Sequence, residues 1–438
     1  VVNYQDLDDS GAYKELLDLA ERHLDSTEGK YWKIHGLYRL GHLEESLDYA
    51  NTVKSCFNND KLLGRVYTQL GKIYGGLGDI DNALDALQKG LDLNRELDDH
   101  ILIAESMLNM GNMYRANGQL DIALETYENS LELLQDTEDN VKIAFALNNI
   151  GVILGDKGHF TKAEEYYQNS LTQIEKTGNI SYISVVLQGL GNLYFLQGDL
   201  EKSKTYHLRS LELKEELGNN ELLVPTLAEI MQINIEEGDM NTAKSYLNRI
   251  EELAERTSNK VIKLYWKYCK AIYLKNKKRN KYKVDAERIF EEIVATNDFR
   301  FEILIDTFYH LIELLVIEFK MYGEPVVLDE IENYVTTLYE IAQEHQIFPS
   351  IVDSLILRAK LSAAKNKVEK ALAFIEQALI TSEERGLTLH LARAEKEKEN
   401  LITTMKELKK VIENKPIADM IDNMELLDYI QLIQKYRR

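Results

Sequence analysis

Proline is nearly missing from this chain, with 4 in 438 residues. Proline breaks helix interiors, so its scarcity leaves room for long uninterrupted helices and excludes proline-rich tracts. Cysteine is scarcer still. Cys56 and Cys269 stand far apart, which excludes a disulfide-stapled fold and any Cys-x-x-Cys motif and suits a reducing compartment, the cytoplasm. No apolar run approaches the ~18 residues of a membrane span, so membrane insertion is not expected. The opening residues give no sign of a secretory signal. The first residue is Val1 rather than methionine, so an N-terminal piece is expected to precede it. Positive charge is also short: 52 Lys and Arg against 73 Asp and Glu leave a net charge of −21. That balance favours solubility and argues against a nucleic-acid or anionic-membrane surface.

Catalytic constellations are lacking as well. The histidines (His23, His35, His42, His100, His159, His207, His310, His345 and His390) form no His-Glu-x-x-His or other tight metal spacing. Gly75-Gly76-Leu77-Gly78 follows an expected helix rather than a strand and has no lysine–serine partner, so it is not a phosphate loop. Cys269 reads as a helix-core residue rather than half of a thiol dyad. No cofactor, no metal and no enzymatic activity are expected.

What is present is a repeat of forty residues: Gly71, Gly111, Gly151 and Gly191 form one column, and Gly78, Gly118, Gly158, Gly198 and Gly238 a second. Ala83, Ala123, Ala163, Ser203 and Ala243 form a third. Within one unit, Ile103, Met107, Met110 and Tyr114 recur at helical spacing. Gly118 interrupts them, and Ala123, Leu124, Tyr127, Leu131 and Leu134 resume the spacing. This predicts two amphipathic helices joined by a tight turn. Glycine at the turn suits a left-handed position. Asp81, Asp121, Thr161 and Asn241 are the expected N-caps of the second helices. Small residues on both helices allow close approach, with Tyr74, Tyr114 and Tyr194 expected to fill the gap between them. One hairpin cannot bury its apolar face alone, but stacked copies can, so the fold class is an all-α solenoid.

Leu70-Gly71-x-x-Tyr74 with Gly78 and Ala83, and Leu190-Gly191-Asn192-Leu193-Tyr194 with Gly198, resemble the tetratricopeptide signature. The long unit is similar to the tetratricopeptide domains of kinesin light chain and of Pins-type adaptors. The later half is similar to long archaeal tetratricopeptide proteins, a resemblance that implies no activity. The resemblance implies a right-handed superhelix whose first helices line a concave, peptide-binding face. It places Arg65, Glu105, Phe145 and Val185 in one groove column. Gln69, Asn109, Asn149, Gly189 and Glu229 form the next, with Gln188 beside them. Lys72, Asn112, Val152, Asn192 and Gln232 follow, then Gly75, Arg115, Gly155 and Phe195. Arg65, Gln69, Lys72, Asn109, Asn112, Arg115, Asn149, Gln188, Asn192 and Gln232 are therefore the expected peptide contacts. Amides recur among them, and an amide offers both donor and acceptor to a peptide backbone whatever its side chains. The basic pair of a chaperone-tail clamp is absent from these columns, whereas Arg65, Lys72 and Arg115 leave room for an acidic ligand side chain.

Four regions are expected. Residues 1–30 hold a lone capping helix (Ala12, Leu16, Leu17, Ala20, Leu24) behind a frayed first ten residues. Residues 31–259 are the regular array, opening on a divergent unit in which Gly41 and Ser46 keep the spacing of Gly78 and Ala83 and Trp32 is core or capping surface. Residues 260–386 are divergent repeats. There Lys275–Lys283 reads as a solvated basic loop or, alternatively, an acidic-partner or nucleic-acid contact. Ala359, Asn366, Ala371 and Ala378 reproduce the spacing of Gly71, Gly78, Ala83 and Gly90. Residues 387–438 hold a charged capping helix, 387–414, and an apolar stripe, Ile417, Met420, Ile421, Met424, Leu427 and Ile430. The stripe either folds back on the last repeat or is exposed to a partner or a second copy, a homo-oligomer contact. The expected function is a non-enzymatic scaffold or adaptor for an extended peptide or protein segment. The alternatives are a peptide-sensing regulator of an effector and a non-catalytic subunit of a complex.

Overall fold

Apolar side chains at helical spacing, interrupted by residues that tolerate positive φ, divide the chain into paired helices. A computed structural model describes residues 3–9, 12–58, 61–218, 220–257, 259–295, 301–408 and 424–436. The opening helices are α1 (Tyr4–Asp9), α2 (Tyr13–Glu21), α3 (Thr27–Arg39) and α4 (Leu43–Val53). The regular hairpins are α5 (Lys61–Gly76) with α6 (Ile80–Glu96), α7 (His100–Ala116) with α8 (Leu120–Leu134), and α9 (Asn140–Asp156) with α10 (Phe160–Glu175). They continue as α11 (Ile180–Gln197) with α12 (Leu200–Leu217) and α13 (Asn220–Glu236) with α14 (Met240–Glu255). Three more follow: α15 (Lys260–Lys275) with α16 (Asn280–Ala295), α17 (Phe301–Tyr322) with α18 (Pro325–Glu344), and α19 (Phe348–Ala364) with α20 (Val368–Glu384). The last helices are α21 (Thr388–Leu408) and α22 (Leu426–Tyr436). Among the described residues there is no strand, and no helix is long and apolar enough to cross a membrane.

Where a left-handed residue stands at the turn, the two helices of a hairpin are joined as tightly as the glycine column requires. Gly78 takes φ +82°, and Asn366 fills the same place in the last hairpin at φ +57°. The turn is tighter than the expected caps allow. Asp81, Asp121, Thr161 and Asn241 lie inside the second helices, which begin one residue before them. The capping carboxylates are Asp79, Asp199 and Asp239, which accept from the backbone N–H groups of Asn82, Lys202 and Thr242. Gln119 and His159 hold the equivalent place without a side-chain cap. A residue directly after a left-handed glycine already has its carbonyl in helical register, so the cap moves forward to it.

The chain forms two compact units, Val1–Ile150 and Gly151–Arg438. In the first, Leu16, Trp32, Ile34, Val66, Leu70 and Ile73 build one buried cluster and Leu87, Leu91, Ile103 and Met110 another. Tyr4–Asp9, within the stretch expected to be frayed, is helical: Leu7 is buried, and the Tyr4 ring stacks on Trp32 at 5.5 Å. In the second unit, clusters run from Leu211 through Leu247 and Phe290 to Leu314, and from Leu304 through Ile331 and Ile375 to Ile433. The apolar stripe near the C-terminus folds back. Met424 and Ile430 are buried, Leu427 packs against the same cluster, and α22 lies on α17 and α19. Ile417, Met420 and Ile421, and the end of the expected 387–414 helix beyond Leu408, lie outside the described residues.

The gap between paired helices is filled from the second helix, not by the expected tyrosines. A Cβ on Gly111 would stand 2.5 Å from the Tyr127 ring, and one on Gly191 would stand 2.6 Å from the His207 ring. Tyr194 is buried, whereas Tyr74 and Tyr114 pack only half-buried at the margins of their clusters. An alanine ordinarily stabilises a helix interior by about 1 kcal/mol over glycine. At Gly111 the clash with a fully buried ring outweighs that gain. Gly111→Ala is expected to destabilise the protein by about 1–3 kcal/mol, read as a lower midpoint in urea denaturation; a raised midpoint would show that Tyr127 can move aside.

Candidate functional site

The first helices of the hairpins carry the expected contacts, and the structure sorts them into engaged and available groups. In the first unit the Arg65 guanidinium lies over the rings of Tyr31 and Trp32, at 4.4 and 5.6 Å. Gln69 is 1% exposed and its Oε1 lies 3.1 Å from His35 Nδ1. His35 Nε2 in turn meets the Asp8 carboxylate at 3.0 Å. By the spacing of Gly41 and Ser46, Trp32 and His35 hold the groove places of Gln69 and Lys72. Helix α1 therefore covers the first-helix face at α3, and Gln69 belongs to that buried contact.

Lys72 and Glu105 join α5 to α7, with Nζ 2.7 Å from Oε1. Burial alone would raise the Glu105 carboxyl, but the Lys72 ammonium, helped by Lys142 and Arg65, brings it down to about 2. Asn109 Nδ2 donates to the Glu105 carbonyl at 2.7 Å and Asn149 Nδ2 to the Phe145 carbonyl at 2.9 Å. Each amide thus ties its NH2 to its own helix four residues back and keeps its Oδ1, which has no partner among the described residues. Asn112 is turned the other way. Its Oδ1 accepts from the Tyr127 hydroxyl at 2.6 Å, and its Nδ2 has no partner among the described residues. The network assigns these amide orientations. Arg115 stands exposed one turn further on. Gly75 is not open groove, since a Cβ there would stand 2.6 Å from the Met113 sulfur.

In the second unit Gln188 is engaged on both sides: Nε2 donates to Glu229 Oε1 at 2.9 Å, and Oε1 accepts from Lys214 Nζ at 2.6 Å. Lys214 also donates to the Thr226 hydroxyl at 2.7 Å, and burial, partly opposed by Glu229, lowers its pKa. The other Glu229 oxygen lies 3.0 Å from His207 Nδ1. Asn192 and Gln232 are half-buried, and no described residue hydrogen-bonds their amides. Gly189 packs against Tyr167, with 2.5 Å left for a Cβ.

His207 and Lys214 escaped the sequence reading, although the repeat carried the signal. At forty-residue spacing His207 follows Tyr127 and Tyr167, and Lys214 follows Leu134 and Ile174. A polar residue in a buried column must have a polar partner, and here the partners lie on the first-helix face. The basic loop is also partly absorbed. Lys275 is the last residue of α15 and pairs with Glu313 at 2.5 Å, while Lys277 lies over Tyr273 and Tyr282. Cys269 is fully buried, and burial pushes its thiol up to about 12, so it is no nucleophile at neutral pH.

The Lys72–Glu105 link makes a pH prediction. Glu105 has a folded pKa of about 2 against its ordinary 4.5, so its contribution is full above pH 4.5 and is lost as pH falls toward 2. Both side chains keep some contact with water, which screens the pair. Glu105→Gln is expected to cost about 1–2 kcal/mol at pH 7 and to differ little from the unaltered chain near pH 2, as measured by urea denaturation across that range. A constant difference at all pH values would remove the ion-pair account.

Residues 98–394 match the family of MalT-like TPR regions, and residues 64–97 match the tetratricopeptide repeat. No curated protein matches the chain. Among solved structures, a Rap protein complexed with Competence and Sporulation Factor is 14% identical, covers 87% of this chain and 96% of its own, and has a TM-score of 0.53. NprR in complex with its cognate peptide NprX is 16% identical, with 72% and 88% covered and a TM-score of 0.52. A signal transduction ATPase with a tetratricopeptide repeat sensor, from Pyrococcus horikoshii, is 14% identical, with 64% and 44% covered and a TM-score of 0.51. At these identities the likeness is one of fold. The family match spans more than half of the sequence and includes the hairpins from α15 to α20 that lack the glycine columns, and the chain belongs to the MalT-like TPR family.

Proposed function

We propose that this chain is a non-enzymatic scaffold or adaptor that binds an extended peptide or protein segment on its first-helix face. The observation that carries the reading is the orientation of the amides on α7 and α9. Half-buried Asn109 and Asn149, which is 6% exposed, each leave an acceptor oxygen without a partner among the described residues, and half-buried Asn112 leaves a donor. A peptide backbone offers the complementary groups at every residue, so such a row binds main chain independently of side chains. Exposed Arg115 flanks it and suits an acidic ligand side chain, with Lys72 beside it paired to Glu105; the second unit, taken by itself, carries the corresponding amides Asn192 and Gln232. Arg65, Gln69 and Gln188 act behind this surface, held by ring, histidine and lysine contacts. With a net charge of −21 the partner is a protein or peptide rather than nucleic acid. Free thiols at Cys56 and Cys269 suit the cytoplasm.

Two neighbours of similar fold are complexes, one of them with a cognate peptide, which supports the reading. A second reading, a peptide-responsive regulator of an effector, is favoured by the neighbour whose repeats are a sensor. Small-angle scattering with and without a bound peptide separates the two, because a passive adaptor keeps its dimensions.

The primary test is a random peptide library panned on the full chain, followed by calorimetry with the selected peptide. Asn112→Ala combined with Asn149→Ala is expected to weaken that peptide by about tenfold or more, at ~1 kcal/mol per lost amide contact, with the fold intact by circular dichroism. Unchanged affinity would remove the assignment of these amides to the ligand surface.

A further inference from the structure

The first-helix face at the end of the array is occupied by a helix of the same chain. The end itself is closed by α21, which packs on α20 and α19. Helix α22 lies elsewhere, on α17 and α19, both first helices of their hairpins.

The positions it touches are groove positions. Counted from Ala359 and Asn366 as equivalents of Gly71 and Gly78, Asp353 holds the place of Arg65 and Lys360 that of Lys72. The Tyr429 hydroxyl donates to Asp353 Oδ1 at 2.9 Å, and Lys360 Nζ donates to the Met424 carbonyl at 2.8 Å. Lys275 continues the Arg115 column at forty-residue spacing. Its ammonium meets His310 Nδ1 at 2.9 Å and Glu313 Oε2 at 2.5 Å. Gln434 Nε2 of α22 joins that cluster, 3.1 Å from both His310 Nδ1 and Glu313 Oε2, and Gln431 donates to Glu313 Oε1 at 3.4 Å. Leu426, Tyr429, Ile430 and Ile433, at i, i+3, i+4 and i+7, form the buried seam. This is how an amphipathic helix lies in a groove: an apolar stripe below, amides and a hydroxyl reaching polar groups at its sides.

The surface beneath α22 is mixed: its seam packs on the apolar cluster of α17 and α19, and charged groups stand beside that cluster. Asp353, Lys360, Lys275, Glu313 and His310 form that polar margin, which water can solvate once the helix leaves. Lys360 keeps a second partner in Glu397, at 2.5 Å. An isolated helix of this length is marginal in water, so α22 is helical because it is docked.

We propose that the first-helix face of α17 and α19 is a docking site for an amphipathic helix, and that Leu426–Tyr436 occupies it in cis, as a built-in competitor that a partner helix of the same pattern displaces. The proposal rests on the first-helix face being the ligand face, as read above. It does not involve the amides of α7 and α9.

Hydrogen exchange on the full chain tests it first. Amides of 426–436 are expected to exchange at least 100-fold faster than those of α19; one common rate for both would overturn the proposal, since α22 would then open only with the whole array. The second arm uses Gln431→Glu with Gln434→Glu, which sets carboxylates against Glu313. A labelled synthetic peptide of residues 424–436 is expected to bind this variant at least tenfold tighter than the unaltered chain. A peptide carrying the same two glutamates is expected to bind neither. Equal or absent binding of the unaltered peptide to both proteins, with the variant folded by circular dichroism, would overturn the proposal. If the variant does not fold, the exchange rates of the unaltered chain decide. Asn112→Ala with Asn149→Ala, in the same double-glutamate background, is expected to leave peptide capture unchanged, so this proposal and the earlier reading fail separately.

Discussion

Two helices can lie as close as α7 and α8 only where one of them has no side chain at the crossing. Gly111 provides that absence, and the Tyr127 ring occupies the space a Cβ would need. The same contact recurs with different fillers, Leu87 against Gly71 and His207 against Gly191. Close packing within each hairpin fixes which face of the first helix is turned inward and which remains for other contacts. Interiors are dense enough that one added methyl group is felt. The exposed face therefore inherits its geometry from a buried contact on the opposite side of the same helix.

That inheritance extends to the polar groups. Tyr127 fills the gap beside Gly111, and its hydroxyl also orients the Asn112 amide. His207 fills the gap beside Gly191, and its ring meets Glu229 on the first-helix face. Tyr127 sets a group on the first helix of its own hairpin, whereas His207 reaches the first helix of the next one, α13. A buried polar atom must be satisfied, and here its satisfaction decides whether a surface amide shows a donor or an acceptor.

The first-helix faces also receive pieces of the chain's own termini. In the first unit Tyr4 and Asp8 cover Trp32 and His35. In the second, α22 covers Asp353 and Lys360. Both segments are short helices that owe their order to docking rather than to length.

The sequence by itself determined the hairpin, the period, the turn glycines and the small columns, because each follows from backbone geometry and repeats every forty residues. It also placed Asn366 and Ala359 correctly in the last hairpin, where the glycines are gone. It could not decide which amides stay available. Gln69 and Asn109 share a column, yet Gln69 is drawn under α1 by His35 while Asn109 is tied only to its own helix. Nor could it say where the C-terminal stripe docks. Those outcomes depend on contacts between residues dozens of positions apart, such as Tyr429 with Asp353 or Gln434 with His310, and a local pattern carries no record of what the rest of the chain brings against it.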